Sequence, residues 1–290
     1  MGYPMAGHMA TKLSGRCLVW NRTAETARKH SVEFGSVATS SLSDLREASV
    51  VVMCLPTSTE DVVVAEQLAS SLNPGACVVS CTSGEPEATR GLAMRLFDSF
   101  KVHVLDCPVS GGPRGARAGT LCCMLGSEDE ASAERCASVV QSFGKVVHTG
   151  PVGSGHAIKA VNNALNCAHL LMGAEGLLAL QNFGVDPDVA LSVINSSSGR
   201  SLQTEVRLPQ EVLSRRFNYG FKLPLMAKDA QIAENLLKSN FSGAELLPAV
   251  TRLVQQAAAT EPPDSDYTRL VATLERKAGT ELRKKGGSSS

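Results

Sequence analysis

The chain has 290 residues, in which 28 lysines and arginines are balanced by 28 aspartates and glutamates. That length exceeds what one core usually fills, so two domains are expected. The cancelled charge creates no net field toward nucleic acid or an anionic membrane, which leaves a small molecule as the expected partner.

The opening MGYPMAGHMATKL reads as the end of a glycine fingerprint running into a first helix, with Gly2 as the glycine that permits close helix packing. A preceding strand and two earlier glycines, which would bring backbone N–H groups to a pyrophosphate, are missing from it. From Cys17 to about Gly150, short β-branched runs alternate with segments of helical period, the α/β signature. Strands are expected at CLVWN from Cys17, SVVVMCL from Ser49, ACVVSC from Ala76, KVHVLD from Lys101, TLCCML from Thr120 and KVVH from Lys145. Such near-continuous apolar runs suit a mostly parallel sheet covered on both faces. Helices are expected at residues 23–34, capped by Thr23 and stopped by Gly35, and at residues 85–100, with Pro86 in the first turn. Beyond Gly150 the strand runs stop, and helical spacing takes over at residues 154–183, 187–195, 224–238 and 245–259. This change of period divides the chain into an α/β domain, residues 1–150, and an all-helical domain, residues 151–290. The long helix after the boundary is expected to wall a cleft between them. A basic, then Gly/Ser-rich tail at residues 283–290 reads as frayed.

Nine cysteines lie mostly inside apolar runs, as buried thiols of a reducing compartment do. None shows CxxC spacing and the six histidines form no HxxxH pair, so no metal is expected. The longest apolar helical stretch, residues 165–180, is broken by Asn166, His169 and Glu175, which argues against a membrane span. No charged-then-apolar leader opens the chain, so a cytoplasmic protein is expected.

Four stretches carry chemistry. CLVWNRT ends a strand in Asn21, Arg22 and Thr23. An acid at such a tip would hold a ribose 2′-hydroxyl, whereas a guanidinium suits a 2′-phosphate; an ordinary solvent-facing arginine is the plain alternative. In DCPVSGGPRGARAGTL, Ser110, Gly111 and Gly112 can form a turn whose N–H groups point at an anion such as a carboxylate, though glycine-rich turns are common. In GSGHAIKAVNNALN, helical spacing puts Gly155, Lys159, Asn163 and Asn166 on one face. Gly155 would leave space above the lysine. A buried lysine and two amides call for a polar ligand, and a solvated face is the alternative. FKLPLMAKDAQIA places Lys228 and Asp229 at the start of a helix, where the dipole accounts for the aspartate but not for the lysine.

In this order and at these separations, CLVWNRT, CLPTSTEDV, DCPVSGGPRGARAGTL, GSGHAIKAVNNALN, SSSGRS and FKLPLMAKDAQ resemble the β-hydroxyacid dehydrogenases, the group that includes 3-hydroxyisobutyrate dehydrogenase and tartronate semialdehyde reductase. The resemblance covers almost the whole chain. It implies a Rossmann-type domain followed by an all-α domain used in oligomer contacts, in a homodimer or homotetramer. It implies hydride transfer between NADP(H), with NAD as the alternative, and a small β-hydroxyacid. Lys159 would exchange the proton, Asn163 would bind substrate, and Ser110, Gly111 and Gly112 would cradle its carboxylate. Lys228 would lie near nicotinamide and substrate. Arg22 would contact the 2′-phosphate, with Gly2, Met5, Asn21, Thr23, Leu55, Pro56 and Thr82 along the cofactor. Lysine at 159 argues against imine-reducing relatives, and KxxNN departs from the KxxHN of 6-phosphogluconate dehydrogenases. Family members open with a strand and a GxGxMG-like turn, whereas this sequence begins at the final Met-Gly. Either its start is placed too late, in which case an arginine- and serine-rich segment upstream would point to mitochondria, or it is a copy with weakened cofactor affinity. The rival function is a non-catalytic protein that binds small acids.

Overall fold

The structure, a computed structural model, describes residues 1–13 and 15–284; residues 285–290, the end of the expected tail, lie outside them. Helix α1 (Gly2–Lys12) leads to β1 (Leu18–Val19), α2 (Ala24–Phe34) and β2 (Val37–Ala38), and β1 pairs with β2 in parallel. Strands β3 (Val50–Met53), β4 (Cys77–Ser80) and β5 (His103–Asp106) are parallel neighbours, connected through α3 (Ser58–Ala69) and α4 (Pro86–Phe100). Next come β6 (Val109–Ser110), α5 (Gly112–Ala118), β7 (Leu121–Gly126), α6 (Glu130–Val140) and β8 (Gly144–Gly150). Strand β7 runs antiparallel to β5 and β6 and parallel to β8. The sheet is Rossmann-type and mostly parallel. Among the described residues no strand bonds to both β1 and β3, so β1 and β2 stand as a separate pair. Strands β2 and β6 escape sequence reasoning because two residues are too few to show a period.

The side-chain alternation of β4 explains why its run is apolar throughout. Cys77 and Val79 enter one core with Met5, Leu105, Leu121 and Phe143. Val78 enters another with Met53, Leu68, Leu92 and Val104. A strand buried on both faces has no polar position to spare. Gly7 sets the spacing of α1 on α2, since a Cβ there would lie 2.7 Å from the Phe34 ring. Thr23 stands at the cap position of α2 but makes no side-chain capping bond, and Gly35 ends that helix at φ 71°.

A second unit consists of helices. The chain divides into compact units at Met1–Lys159 and Ala160–Ser290, a boundary inside the 30-residue helix α7 (Ser154–Phe183). After α7 come α8 (Pro187–Asn195), a π-helical stretch Gln203–Val212, α9 (Leu223–Asn240), α10 (Leu246–Thr260) and α11 (Leu270–Ala278). Leu170, Ala174 and Leu177 of α7 pack with Leu208, Met226, Tyr267 and Leu270. The π-helical stretch contains Pro209, whose missing N–H is tolerated in a wide turn. Neither this stretch nor α11 is apparent in the sequence, because charged residues crowd their short apolar patterns. No described helix is long and apolar enough to cross a membrane.

Candidate active site

The first turn of α7 is fixed by a buried carboxylate at the end of β5. Asp106 accepts the Gly153 N–H at 2.6 Å and the His156 N–H at 2.7 Å, one on each oxygen. These are helix-start donors that would otherwise be buried without partners. Gly155 makes this approach possible: a Cβ there would sit 2.1 Å from the Met124 carbonyl oxygen and 2.9 Å from Asp106 Oδ2. The expectation that Gly155 opens space above the lysine is therefore corrected; it lets the helix start lie against β7. His156 is buried, with Nδ1 3.0 Å from Thr89 Oγ1.

Lys159 is half-buried one turn after this anchor, and Asn163 is buried one turn later. The spacing of four residues puts both on one face of α7. Within the helical unit, Asn163 Nδ2 donates to Asp229 Oδ2 at 2.7 Å, and Lys228 Nζ lies 3.2 Å from Asp229 Oδ1. Asp229 is thus a buried carboxylate spanning an amide and an ammonium. Sequence reasoning missed its role by placing Lys228 and Asp229 at a helix start, where the dipole accounts for an aspartate. Helix α9 begins at Leu223 with Pro224 in its first turn, so both residues lie in the second turn. Asn166, expected on the same polar face, accepts Gln203 Nε2 at 2.9 Å and so ties α7 to the π-helical stretch.

The Ser110–Gly112 stretch forms the expected turn. Ser110 pairs with Cys122 at the end of β6, and Gly111, with φ of 132°, precedes α5, whose first residue is Gly112, with φ of 64°. A side chain would be strained at both, and at Gly111 a Cβ would also meet Leu121 Cδ2 at 3.0 Å. The turn presents a serine hydroxyl and glycine N–H groups without a Cβ over them, a donor set suited to a carboxylate.

The remaining expected residues lie on α1 and beyond the carboxyl ends of β1, β3 and β4. Asn21, Arg22 and Thr23 are exposed, with Asn21 Nδ2 bonded to the Thr23 carbonyl at 3.0 Å. Glu60 accepts Thr57 Oγ1, and with Arg22 also nearby its carboxyl is held below the ordinary carboxylate range. Pro56 is exposed and Leu55 half-buried. Thr82 is buried: its hydroxyl donates to Asp61 Oδ1 at 2.7 Å and accepts the Leu55 N–H at 3.0 Å. It therefore acts by fixing the loop after β3. Met5 is a core residue whose side chain is closed to any ligand. Gly2 packs α1 against the exit of β3, where a Cβ would come within 3.2 Å of Cys54 Cβ. The first turn of α1 has no side-chain cap and no acid. A helix start without a capping side chain and an exposed arginine beyond a strand end are a donor set that fits an anionic dinucleotide. Among the described residues no group of side chains could hold a metal ion.

The model for the NAD-binding domain of 6-phosphogluconate dehydrogenase matches residues 1–153, and that for the NAD-binding region of NADP-dependent 3-hydroxyisobutyrate dehydrogenase matches residues 153–274. The chain belongs to the β-hydroxyacid dehydrogenase family. Among its relatives in that family, an NAD-dependent L-serine dehydrogenase of Pseudomonas aeruginosa is 30% identical, covering 85% of each chain. A probable mitochondrial 3-hydroxyisobutyrate dehydrogenase of Dictyostelium discoideum is 28% identical over 81% of this chain and 77% of its own. In fold, the chain is similar to a Mycobacterium tuberculosis 3-hydroxyisobutyrate dehydrogenase solved with L-serine, with a TM-score of 0.86, 24% identity, and coverage of 94% of this chain and 95% of that one. Membership of the β-hydroxyacid dehydrogenases makes the cofactor a nicotinamide dinucleotide and the reaction class oxidoreduction at a CH–OH group. It favours an enzyme over a non-catalytic acid-binding protein.

Proposed function

We propose that the chain transfers hydride reversibly between NADP(H) and a small β-hydroxyacid or its semialdehyde, of the 3-hydroxyisobutyrate kind, with Lys159 as general acid and base. The observation that carries this reading is the Lys159–Asn163 pair, one turn apart on α7, with the Asn163 amide locked by buried Asp229. Of the two N–H bonds on that amide, one is committed to Asp229 and fixes the plane, which leaves the other to hold a substrate oxygen in line with the lysine. Lys159 then exchanges a proton with that oxygen as the C–H bond breaks or forms. The nicotinamide supplies or accepts the hydride. Lys228, held by Asp229, contributes positive charge beside substrate and nicotinamide. Ser110, Gly111 and Gly112 bind the distal carboxylate, which selects a β-hydroxyacid over a simple alcohol.

On the cofactor side, residues 1–150 act as the dinucleotide-binding domain and residues 151–290 as the substrate and oligomerisation domain of a cytoplasmic homodimer or homotetramer. Arg22 grips the 2′-phosphate, flanked by Asn21 and Thr23. The loop of Leu55 and Pro56, held by Thr82, follows the dinucleotide, as do Gly2 and the backbone at Met5. Candidate substrates are 3-hydroxyisobutyrate, glycerate and L-serine, the last from the name of the Pseudomonas relative. Titration of the purified chain with NADPH and NADH, followed by assays on these acids, tests the proposal. NADPH should bind about tenfold or more tighter, as loss of a charge-assisted phosphate contact implies, and Arg22→Ala should erase the difference. Tighter NADH binding would contradict the role of Arg22. Binding of neither at millimolar concentration would restore the non-catalytic reading.

A further inference from the structure

Asp61 lies in the first turn of α3 and is only 4% exposed. Its two oxygens are both taken by hydroxyls at the exit of β4. Oδ2 accepts from Ser80, and Oδ1 accepts from Thr82 at 2.7 Å. Ser80 is the last residue of β4 and Thr82 follows two positions later; both are buried. An acid withdrawn from water is costly, and an apolar side chain would fill the same place without that cost.

The Thr82 hydroxyl gives the acid a purpose. A hydroxyl has one hydrogen, and here it is spent on Asp61. That turns the lone pairs toward the Leu55 N–H, which the hydroxyl accepts at 3.0 Å. Without an acceptor at position 61 the hydroxyl would rotate to another partner, and the Leu55 bond would lose its fixed geometry. The Cys81 N–H bonds the Met53 carbonyl at 2.7 Å where β3 and β4 end, and the Thr82 side chain adds one link beyond it. The main chain at Leu55 and Pro56 is thereby held to the exit of β4. Ser80 belongs to the strand itself, so its bond to Asp61 ties α3 to the sheet and carries nothing to the loop.

We propose that Asp61 is a positioning residue for the dinucleotide: it orients the Thr82 hydroxyl and through it holds the Leu55–Pro56 backbone in the shape on which the cofactor lies. The inference rests on the reading, given above, that this loop follows the dinucleotide. The place suits it, because ligands of such sheets lie outside the carboxyl ends of the strands, and Leu55, Pro56 and Thr82 lie beyond those of β3 and β4. A carboxylate has the wrong sign to touch a pyrophosphate, and this one is buried, so it works through Thr82 rather than by contact. One carboxylate therefore has two bonds with separable effects, one for the sheet and one for the cofactor.

Fluorescence titration of the full chain with NADPH and with NADH tests this in single and double variants. Asp61→Ala and Thr82→Val should each weaken dinucleotide binding about tenfold, the effect of losing one buried hydrogen bond. Together they should weaken it no more than either alone, because both cut the same link. Ser80→Ala removes the other bond to the same carboxylate and should change the affinity less than about twofold. In steady-state assays of Asp61→Ala, KM for the cofactor should rise while KM for the acid stays in place, a split that a general loss of structure would not give. If Asp61→Ala does not fold, Asp61→Asn keeps the shape with a weaker acceptor; it should loosen the dinucleotide about threefold, and not at all in the Thr82→Val background. Asp61 variants that bind like wild type, effects that multiply in the double variant, or Ser80→Ala as damaging as Thr82→Val would each overturn the inference alone. A wild-type chain that binds neither dinucleotide would overturn the reading beneath it, and the inference with it.

Discussion

Asp106 and Asp229 are both withdrawn from water, 0% and 1% exposed, and both bond to α7, but to different parts of it. Asp106 gives each oxygen to a backbone N–H in the first turn and so decides where the helix begins. Asp229 gives its oxygens to the side chains of Asn163 and Lys228 and so decides where two functional groups point. The partners separate the roles of two chemically identical groups. Of these two, Asp106, spent on main-chain donors, holds the start of a helix, and Asp229, spent on side chains, holds the geometry proposed to react. Lys159 lies between the two anchors along the helix.

Four substitutions test this contrast, in decreasing order of effect. Lys159→Ala removes the proton-exchanging group and should lower kcat by about 10²–10⁴-fold, with KM nearly unchanged, as steady-state assays would show. Asp106→Asn should weaken folding by about 3 kcal/mol, seen as an earlier urea midpoint, because a charge-assisted bond is lost where no water can replace it. Its kcat per folded molecule should stay near wild type. Asp229→Asn should do the reverse, lowering kcat by about tenfold through a loosened Asn163 while shifting the urea midpoint less than Asp106→Asn. If the two aspartate variants gave the same ratio of activity loss to stability loss, the contrast would collapse.

Glu261 supplies the smallest and most selective test. Burial raises its pKa, but hydrogen bonds from Arg269 at 2.7 Å and Arg276 at 2.7 Å outweigh this and hold it below the ordinary carboxylate value. A folded-state pKa below the unfolded one stabilises the protein above the unfolded value and fades as pH falls through the folded one. Urea midpoints should therefore drop as the wild type is acidified below about pH 4.5, the carboxylate range, and drop less for Glu261→Gln, whose activity at neutral pH should be unchanged.

Much of this was legible in the sequence, for physical reasons. The run at Cys77–Ser80 announces itself because a strand buried on both faces must be apolar throughout, and the run at Val50–Met53 because its side chains pack against a core on each face. Lys159 and Asn163 stand out because a lysine and an amide one turn apart on one face of a largely apolar helix are costly to bury without partners. The partners of these residues were not legible. Asp229 meets Asn163 across 66 positions in sequence, and Asp106 meets the α7 start across about 50, and no local pattern encodes such pairings. Gly155 was misread for the same reason, since the Met124 carbonyl that demands a glycine there comes from a distant strand.

The central claim is that an amine at position 159 moves the substrate proton, and chemical rescue tests it most directly. Turnover of Lys159→Ala should be measured with increasing concentrations of small primary amines over a range of pH. The account predicts a rate close to zero without amine that climbs in proportion to added ethylamine or methylamine. Turnover near the wild-type rate in the variant with no amine added would contradict it.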